Sequence, residues 1–579
     1  MSLDQEKRVI VAFALSFVML ILWRVFFVKE PPPQPKKATP AAPTATAPGQ
    51  PAAAPAVSTG PQAKQATSRV ALPVTQGNKA GDIVVENDLY RVTFSTQGAV
   101  VKSWVLKRYR DAKDNLLDTV DVAACQTLGF PMSVSMSDAA LKAQLNQAIY
   151  VAEAAKLVVG PEPAKLSGST FAPPVSLTFT YSDGKNQVVK KFTLGAGYEV
   201  HVEVSVSDGQ RYLPVDVMWP GGFGDHTLAP SVIESVSQAV YGSLGDLNTL
   251  PQRKVKEDRV IPGPLQLAGL EDKYFADIFL PDAPDQVAFR VARQEWSPPD
   301  WTEKEKPRPL TATLAETQPK PLAFRLFVTP KDLDVLRSVN PPLDSLVDFG
   351  WFSIVAKPLF IALRYIYDHW IHNYGWAIVL LTLIINLAMF PLKIKSLRSA
   401  QEMQRISPII KGIQDKYKQY KFNDPRKQKM NEEVMKVYSE HHINPLGSCL
   451  PMLLQAPFLY GFYRVLDLSI ELRHAPWISW LKDLSAQDPL YILPVAMIVT
   501  MFIVQRMTPM TTADPAQQRM MMIMPLMFGV MFFRFASGML LYWVTSNVVG
   551  IGQQLFINRY MRAPDPLLAP PRRPAVAKE

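Results

Sequence analysis

Cysteine is nearly absent. Cys125 and Cys449 are the only two in 579 residues and lie in different regions, so neither a disulfide framework nor a zinc-ligand spacing exists. The seven histidines are scattered, and no metal site is expected. The chain also lacks a Walker loop, a G-x-S-x-G elbow and an H-E-x-x-H helix. No catalytic constellation and no cofactor are expected, and the chain is not read as an enzyme. Asp225-His226 is read as a surface loop rather than a dyad, because adjacency in sequence says little about geometry.

Charge is missing from five long stretches of the last third: Asn373–Leu392, Ile443–Tyr463, Pro489–Gln505, Met520–Phe533 and Phe535–Asn558. A bilayer core takes about 20 residues of apolar helix to cross, so these are candidate spans. Several nevertheless hold hydrogen-bonding side chains at membrane depth, where polar groups are costly and face a protein interior or a water-filled cavity. Thr382, Asn386, Gln455, Thr500, Gln505, Thr545, Ser546 and Asn547 are therefore candidates for lining a wet groove. Thr382 and Asn386 stand four residues apart, on one helix face. The same pair can serve simply as a helix–helix hydrogen bond. Arg464 and Arg534 interrupt apolar sequence and are candidate groove cations. Arg464 also stands at ion-pair spacing from Asp467, and Arg534 lies near the outer surface.

What is there divides the chain. Lys7 and Arg8 precede an apolar run, so residues 1–28 read as an uncleaved anchor with its amino end inside. Residues 29–78 are rich in Pro, Ala, Thr and Gln without apolar period and read as a disordered tether. Residues 79–336 carry short alternating strands. Val175–Tyr181 and Val188–Leu194 flank Asp183-Gly184 as a hairpin, and Val200, Val202, Val204 and Val206 share one face of the next strand. A β-sandwich outside the cytoplasm follows. Residues 343–372 mix apolar and charged positions, as in a helix lying in the membrane interface.

Residues 393–442 hold twelve Lys or Arg against six Asp or Glu, which places them inside the cell. Ile406, Ile410, Ile413, Tyr417 and Tyr420 repeat with coiled-coil spacing. Asp424 caps and Pro425 opens a return helix, giving an antiparallel hairpin. Four further spans fill 443–562, and residues 563–579 form a basic inner tail. Six spans with both ends cytoplasmic satisfy every loop. The net charge of +10 is largely this orientation signal, and no nucleic acid is expected as a partner.

Methionine crowds the fifth span. It suits surfaces that accept many apolar partners, so Leu453, Phe458, Met524, Met527, Phe528 and Met531 are read as an apolar slide for transmembrane segments. The 17- and 14-residue runs of the fourth and fifth spans are short enough to thin the bilayer.

Asn444-Pro445-Leu446-Gly447-Ser448-Cys449, Leu484–Pro489 with Tyr491–Pro494, and Ser537-Gly538 with Tyr542 and Ser546-Asn547 resemble the membrane core of the YidC insertases, bacterial relatives of the Oxa-type insertases. The resemblance spans residues 343–562. It implies an α-helical membrane protein with a five-helix insertase core and a large periplasmic β-supersandwich, in the bacterial inner membrane. It also implies nascent membrane proteins, the Sec translocon and the lipid bilayer as partners, and the basic hairpin at 393–442 is read as receiving the substrate or contacting the ribosome. The family's groove arginine, four residues beyond the threonine matched by Thr382, is Asn386 here. Hydration alone, Arg464 or Arg534 would have to serve instead. Two other classes fit the residues less well: a transporter or channel, which should show internal repeats or midplane charges, and an anchored periplasmic carbohydrate-binding protein, which leaves the later spans unexplained.

Overall fold

The computed structural model describes residues 72–111, 113–156, 170–227, 237–297, 308–350, 353–420, 424–441, 450–507, 515–533 and 535–560. The expected amino-terminal anchor, residues 29–71 of the expected tether, the motif at 444–449, Arg534 and the expected basic tail lie outside these residues. The last residues of the expected tether, 72–78, are instead docked on the β-rich region, where Thr75 and Ser182 exchange backbone hydrogen bonds at 2.9 and 2.8 Å.

Strand alternation builds the first half. Val175–Ser182 and Gln187–Leu194 pair in antiparallel register, and Asp183 Oδ1 accepts the backbone N–H groups of Lys185 and Asn186 at 2.8 and 2.7 Å to close the turn. Gly184 supplies the φ of +88° that the turn requires. Glu199–Ser207 follows, with Val200, Val202, Val204 and Val206 all buried. These strands belong to a ten-stranded sheet that also holds Leu322–Pro330, Phe275–Pro281, Leu267–Glu271 and the Gln238–Ser243/Asp246–Pro251 hairpin. Two five-stranded sheets complete the β-rich region. One inward position carries a cation: Lys190 is fully buried, and its ammonium donates to the carbonyls of Gly98, Ala99 and Met132 at 2.7, 3.1 and 2.8 Å. Burial pulls its pKa down to about 7. Three short helices, α1 (Val122–Leu128), α2 (Ala139–Gln147) and α3 (Leu333–Ser338), are each capped by an aspartate: Asp121, Asp138 and Asp332.

Helices make up the second half: α4 (Ser353–His369), α5 (Tyr374–Ala388), α6 (Phe390–Lys416), α7 (Pro425–Glu440), α8 (Leu450–Leu468), α9 (Ile492–Met507), α10 (Pro515–Phe532) and α11 (Ser537–Tyr560). α5 is capped by Asn373 and admits the Trp477 indole against Gly375, where a Cβ would stand 2.3 Å from the ring. It stops short of the charge-free run's end at Leu392. Pro391, which has no N–H to continue the ladder, opens α6 instead. α6 and α7 form the expected antiparallel hairpin: Met403, Ile406, Ile410 and Tyr417 are buried along its seam, and Ile413 is half-buried. Asp424 accepts the Arg426 N–H as cap, with Pro425 in the first turn. Tyr417 donates to Glu433 at 2.7 Å and Arg426 covers the Tyr420 ring, clamping the tip.

Among the described residues no helix is long and apolar enough to cross a membrane. α5 and α9 have 15 and 16 residues, below the usual requirement. α11 has 24 residues, but Thr545, Ser546, Asn547, Gln553 and Gln554 dilute its apolar character. Among the described residues, the structure therefore does not supply the uninterrupted apolar spans that the five charge-free runs imply.

The β-rich region and the helices share one apolar cluster, in which Val240, Leu267, Ile278 and Phe327 join Phe349, Phe360, Phe462, Leu472 and Leu484. Polar groups reinforce it. Arg473, in the loop after α8, pairs with Asp225, donates to the Arg110 carbonyl at 2.7 Å and stacks over Tyr274 and Phe275. Lys273 pairs with Asp467. This corrects the reading of Asp225-His226 as a surface loop. Asp225 is buried because the Arg473 loop covers it, and His226 sits with its ring nitrogens beside the Thr119 carbonyl and Asp121.

Two outcomes follow from this junction. Arg473→Ala leaves the buried Asp225 carboxylate without its charge partner, and chemical denaturation should show a loss of about 3–5 kcal/mol, the cost of breaking a buried pair; an unchanged midpoint would show that the pair carries no weight. Glu471 lies in the same loop, with Oε1 buried and without a hydrogen-bond partner, and burial pushes its pKa up to about 7 from an ordinary 4.5. The unfolded chain ionises near the ordinary value while the folded carboxyl stays protonated. The contribution of this carboxyl to stability is thus fullest below pH 4.5, falls as pH rises to about 7 and is flat above it, a loss of about 3 kcal/mol. Glu471→Gln should flatten that slope in denaturation midpoints measured across pH.

Candidate functional site

α5 and α11 cross with their polar residues facing each other. Thr382 is 0% and Asn386 4% exposed, whereas Ile384 and Leu387 on the same helix are 42% and 55% exposed. The polarity of an ordinary helix in water is inverted. Apolar side chains also face outward on α9 (Val495, Val499, Phe502, Ile503), α10 (Ile523, Leu526, Val530) and α11 (Val548, Leu555, Phe556). An apolar shell around a polar interior is the arrangement a lipid solvent selects.

Asn386 centres that interior. Its Nδ2 donates to the Thr382 carbonyl at 2.9 Å and to Ser546 Oγ at 3.3 Å. Its Oδ1 accepts from Lys393 Nζ at 2.7 Å, and Lys393 also donates to Gln553 Oε1 at 3.2 Å. Gln553 Nε2 returns to the Asn386 carbonyl at 2.9 Å. Thr382 Oγ1 donates to the Ile378 carbonyl at 2.6 Å, one turn back along its own helix. A second polar link joins α9 to α11, where Asn547 donates to Thr500 Oγ1 at 3.1 Å. Thr500 meanwhile donates to the Ala496 carbonyl at 2.8 Å.

The expected groove residues are thus only partly brought together. Thr382, Asn386 and Ser546 form one cluster, and Thr500 with Asn547 forms another. Thr545, Gln455 and Gln505 are half-buried on α11, α8 and α9, and none is hydrogen-bonded to Asn386. Arg464 belongs elsewhere. It donates to the Asp348 carbonyl at 2.7 Å and stands 3.9 Å from Asp467, within the junction network. On the expected slide, Met524, Met527 and Met531 are exposed and Phe458 and Phe528 are half-buried; the Leu453 side chain lies outside the described residues. α10 packs close to α9, since a Cβ on Gly529 would stand 2.2 Å from Ile498.

Lys393 and Gln553 are absent from the expected site, although a spacing rule points to them. Each lies seven residues, two helical turns, beyond a cluster member: Lys393 beyond Asn386 and Gln553 beyond Ser546. Asn386→Leu removes an acceptor from Lys393 and a donor from Ser546. It should lower the unfolding free energy by about 1–3 kcal/mol, the cost of buried polar groups left unpaired, and equal stability of the two proteins in detergent would show that the network is not formed.

Two family models match the chain: the YidC periplasmic domain over residues 82–362 and the 60Kd inner membrane protein over residues 366–564. The membrane protein insertase YidC of Geotalea daltonii is 34% identical over 573 residues, 96% of this chain and 100% of that protein. That of Citrifermentans bemidjiense is 35% identical over 581 residues, 96% of this chain and 99% of that protein. Among solved structures, the chain is similar to an active YidC insertase crystal structure with the first transmembrane domain resolved. The identity is 19% and the TM-score 0.34, over 85% of this chain and 95% of that one.

Proposed function

The chain belongs to the YidC family of membrane protein insertases, and from that premise we propose the route by which it inserts its substrates. It is an inner-membrane protein with a periplasmic β-rich domain, it acts on nascent membrane proteins in the lipid bilayer, and it is an insertase rather than an enzyme.

In the proposed route, the short hydrophilic tail of a substrate enters a hydrated groove lined by Thr382, Asn386, Ser546, Thr500 and Asn547. The groove spares the tail much of the penalty for placing polar groups in hydrocarbon. The substrate's apolar segment meanwhile moves along Phe458 and the methionines of α10 into lipid. Its burial supplies the driving force, about 25 cal/mol per Å² of apolar surface, so no nucleotide is required. The observation that carries this reading is the burial of Thr382 and Asn386 behind an apolar exterior.

The topology proposed with it has six spans, both termini cytoplasmic, α4 in the interface, and the basic α6–α7 hairpin facing the cytoplasm. The hairpin would receive the substrate or touch the ribosome, and the Sec translocon would be a partner for larger substrates. Reconstitution tests the route directly. Purified protein in liposomes should insert a small single-span protein without ATP or other factors, read as protease-protected fragments. Protection no greater than in empty liposomes would reject it.

A further inference from the structure

A cavity of about 50 Å³ opens where α3, at the end of the β-rich region, meets α4. Its floor is apolar: Leu333, Val347, Phe349 and Phe360 line it and all four are buried. Its rim is charged and open to solvent. Arg337 arrives from the last turn of α3 and Lys357 from the start of α4. Asp344 also stands on the rim, 3.9 Å from the Arg337 guanidinium, but the two side chains are 40% and 53% exposed, so their pairing holds Arg337 weakly. Two cations against one carboxylate leave the rim with a net positive charge. α3 and α4 are already drawn together by the ion pair of Arg364 with Asp334. That contact brings the two cations to one hollow, where an anion between them relieves their repulsion.

The surface beyond the rim identifies the anion. Ile354, Ile361 and Tyr365 are 83%, 58% and 52% exposed. Their spacings of seven and four residues set them on one face of α4, and Ile361 is itself part of the rim. A different apolar face of α4, with Ala356, Leu359, Phe360, Leu363 and Ile366, is buried within the molecule, so the exposed row is surplus to packing. An apolar row beside cations is what an interfacial helix turns toward anionic lipid.

We propose that this cavity is a headgroup site for an anionic phospholipid. The singly charged phosphodiester sits between Arg337 and Lys357, and the chain carbons next to the glycerol cross Ile361 and enter the hollow against Phe349 and Phe360. This rests on the placement of α4 in the interface given above and deepens it by naming the lipid class that seats the helix. The bound lipid joins α3 to α4 and so fastens the end of the β-rich region to the membrane surface. A free phosphate offers the same charge but nothing for the apolar floor.

The test is photochemical capture. The full chain is reconstituted in phosphatidylcholine liposomes with a trace of phosphatidylglycerol or phosphatidylcholine that carries a diazirine near the glycerol end of one chain. Captured peptides are mapped after proteolysis. The phosphatidylglycerol probe should mark residues 333–361 about tenfold more than the phosphatidylcholine probe does. Arg337→Gln and Lys357→Gln should each cut that excess about fivefold, the weight of one basic side chain beside an anionic headgroup, and the double variant should abolish it. Lys357→Arg should keep it. Both positions are exposed, and unchanged capture on α9 and α10 checks that the variants are folded. An excess that survives the double variant overturns the proposal. So does an excess that disappears when inorganic phosphate replaces chloride at equal ionic strength, since the site would then take a bare anion. Equal capture of the two probes on α4 sinks only this inference, whereas capture of neither there sinks the interfacial placement as well.

Discussion

The hydrogen-bond knot around Asn386 is the constraint from which the helical half follows. Asn386 joins its own turn, the next helix through Lys393, and α11 through Ser546 and Gln553. Such a knot keeps its members paired beside hydrocarbon, and the exposed Ile384, Leu387, Val548 and Leu555 around it suit lipid better than water. Each of α5 and α11 thus has one face that hydrocarbon solvates and one that it cannot. In the proposed route, a polar segment entering between them would meet hydrogen-bonding partners in place of the water it leaves.

The outer junction is a separate device with a different logic. Arg473, Lys273 and Arg464 are drawn to carboxylates or carbonyls at the seam between the strands and the helices, where an apolar cluster already excludes solvent. Cations at that seam serve attachment. Among the described residues, the cation of the other cluster, Lys393, is held by the neutral oxygens of Asn386 and Gln553.

Much of the local structure was legible in the residues. Alternating valines placed the strand at 199–207, Asp183-Gly184 placed its neighbouring hairpin turn, and Asp424-Pro425 placed the start of α7. Four-residue spacing put Thr382 and Asn386 on one face. The rest depended on contacts that spacing does not encode. Arg473 meets Asp225 across 248 residues, so the loop at 225 looked exposed in sequence and is buried in the fold. Arg464 looked like a groove cation because it interrupts an apolar run, yet its partners are Asp348 and Asp467. Lys393 belongs by charge to the basic stretch 393–442, yet its side chain reaches back to Asn386, a contact that charge counting does not encode. The helix break before Pro391 is a backbone effect, invisible to a tally of charges.

The proposed route requires the Asn386 cluster to be reached by water from the inner side of the membrane. Its most direct test is a single cysteine at position 546, in a chain whose Cys125 and Cys449 have been replaced, probed in sealed inverted vesicles with a membrane-impermeant maleimide. Labelling at a rate close to that of a cysteine in the α6–α7 hairpin is the expected result. A cysteine at 546 that stays unlabelled until detergent is added would contradict the claim.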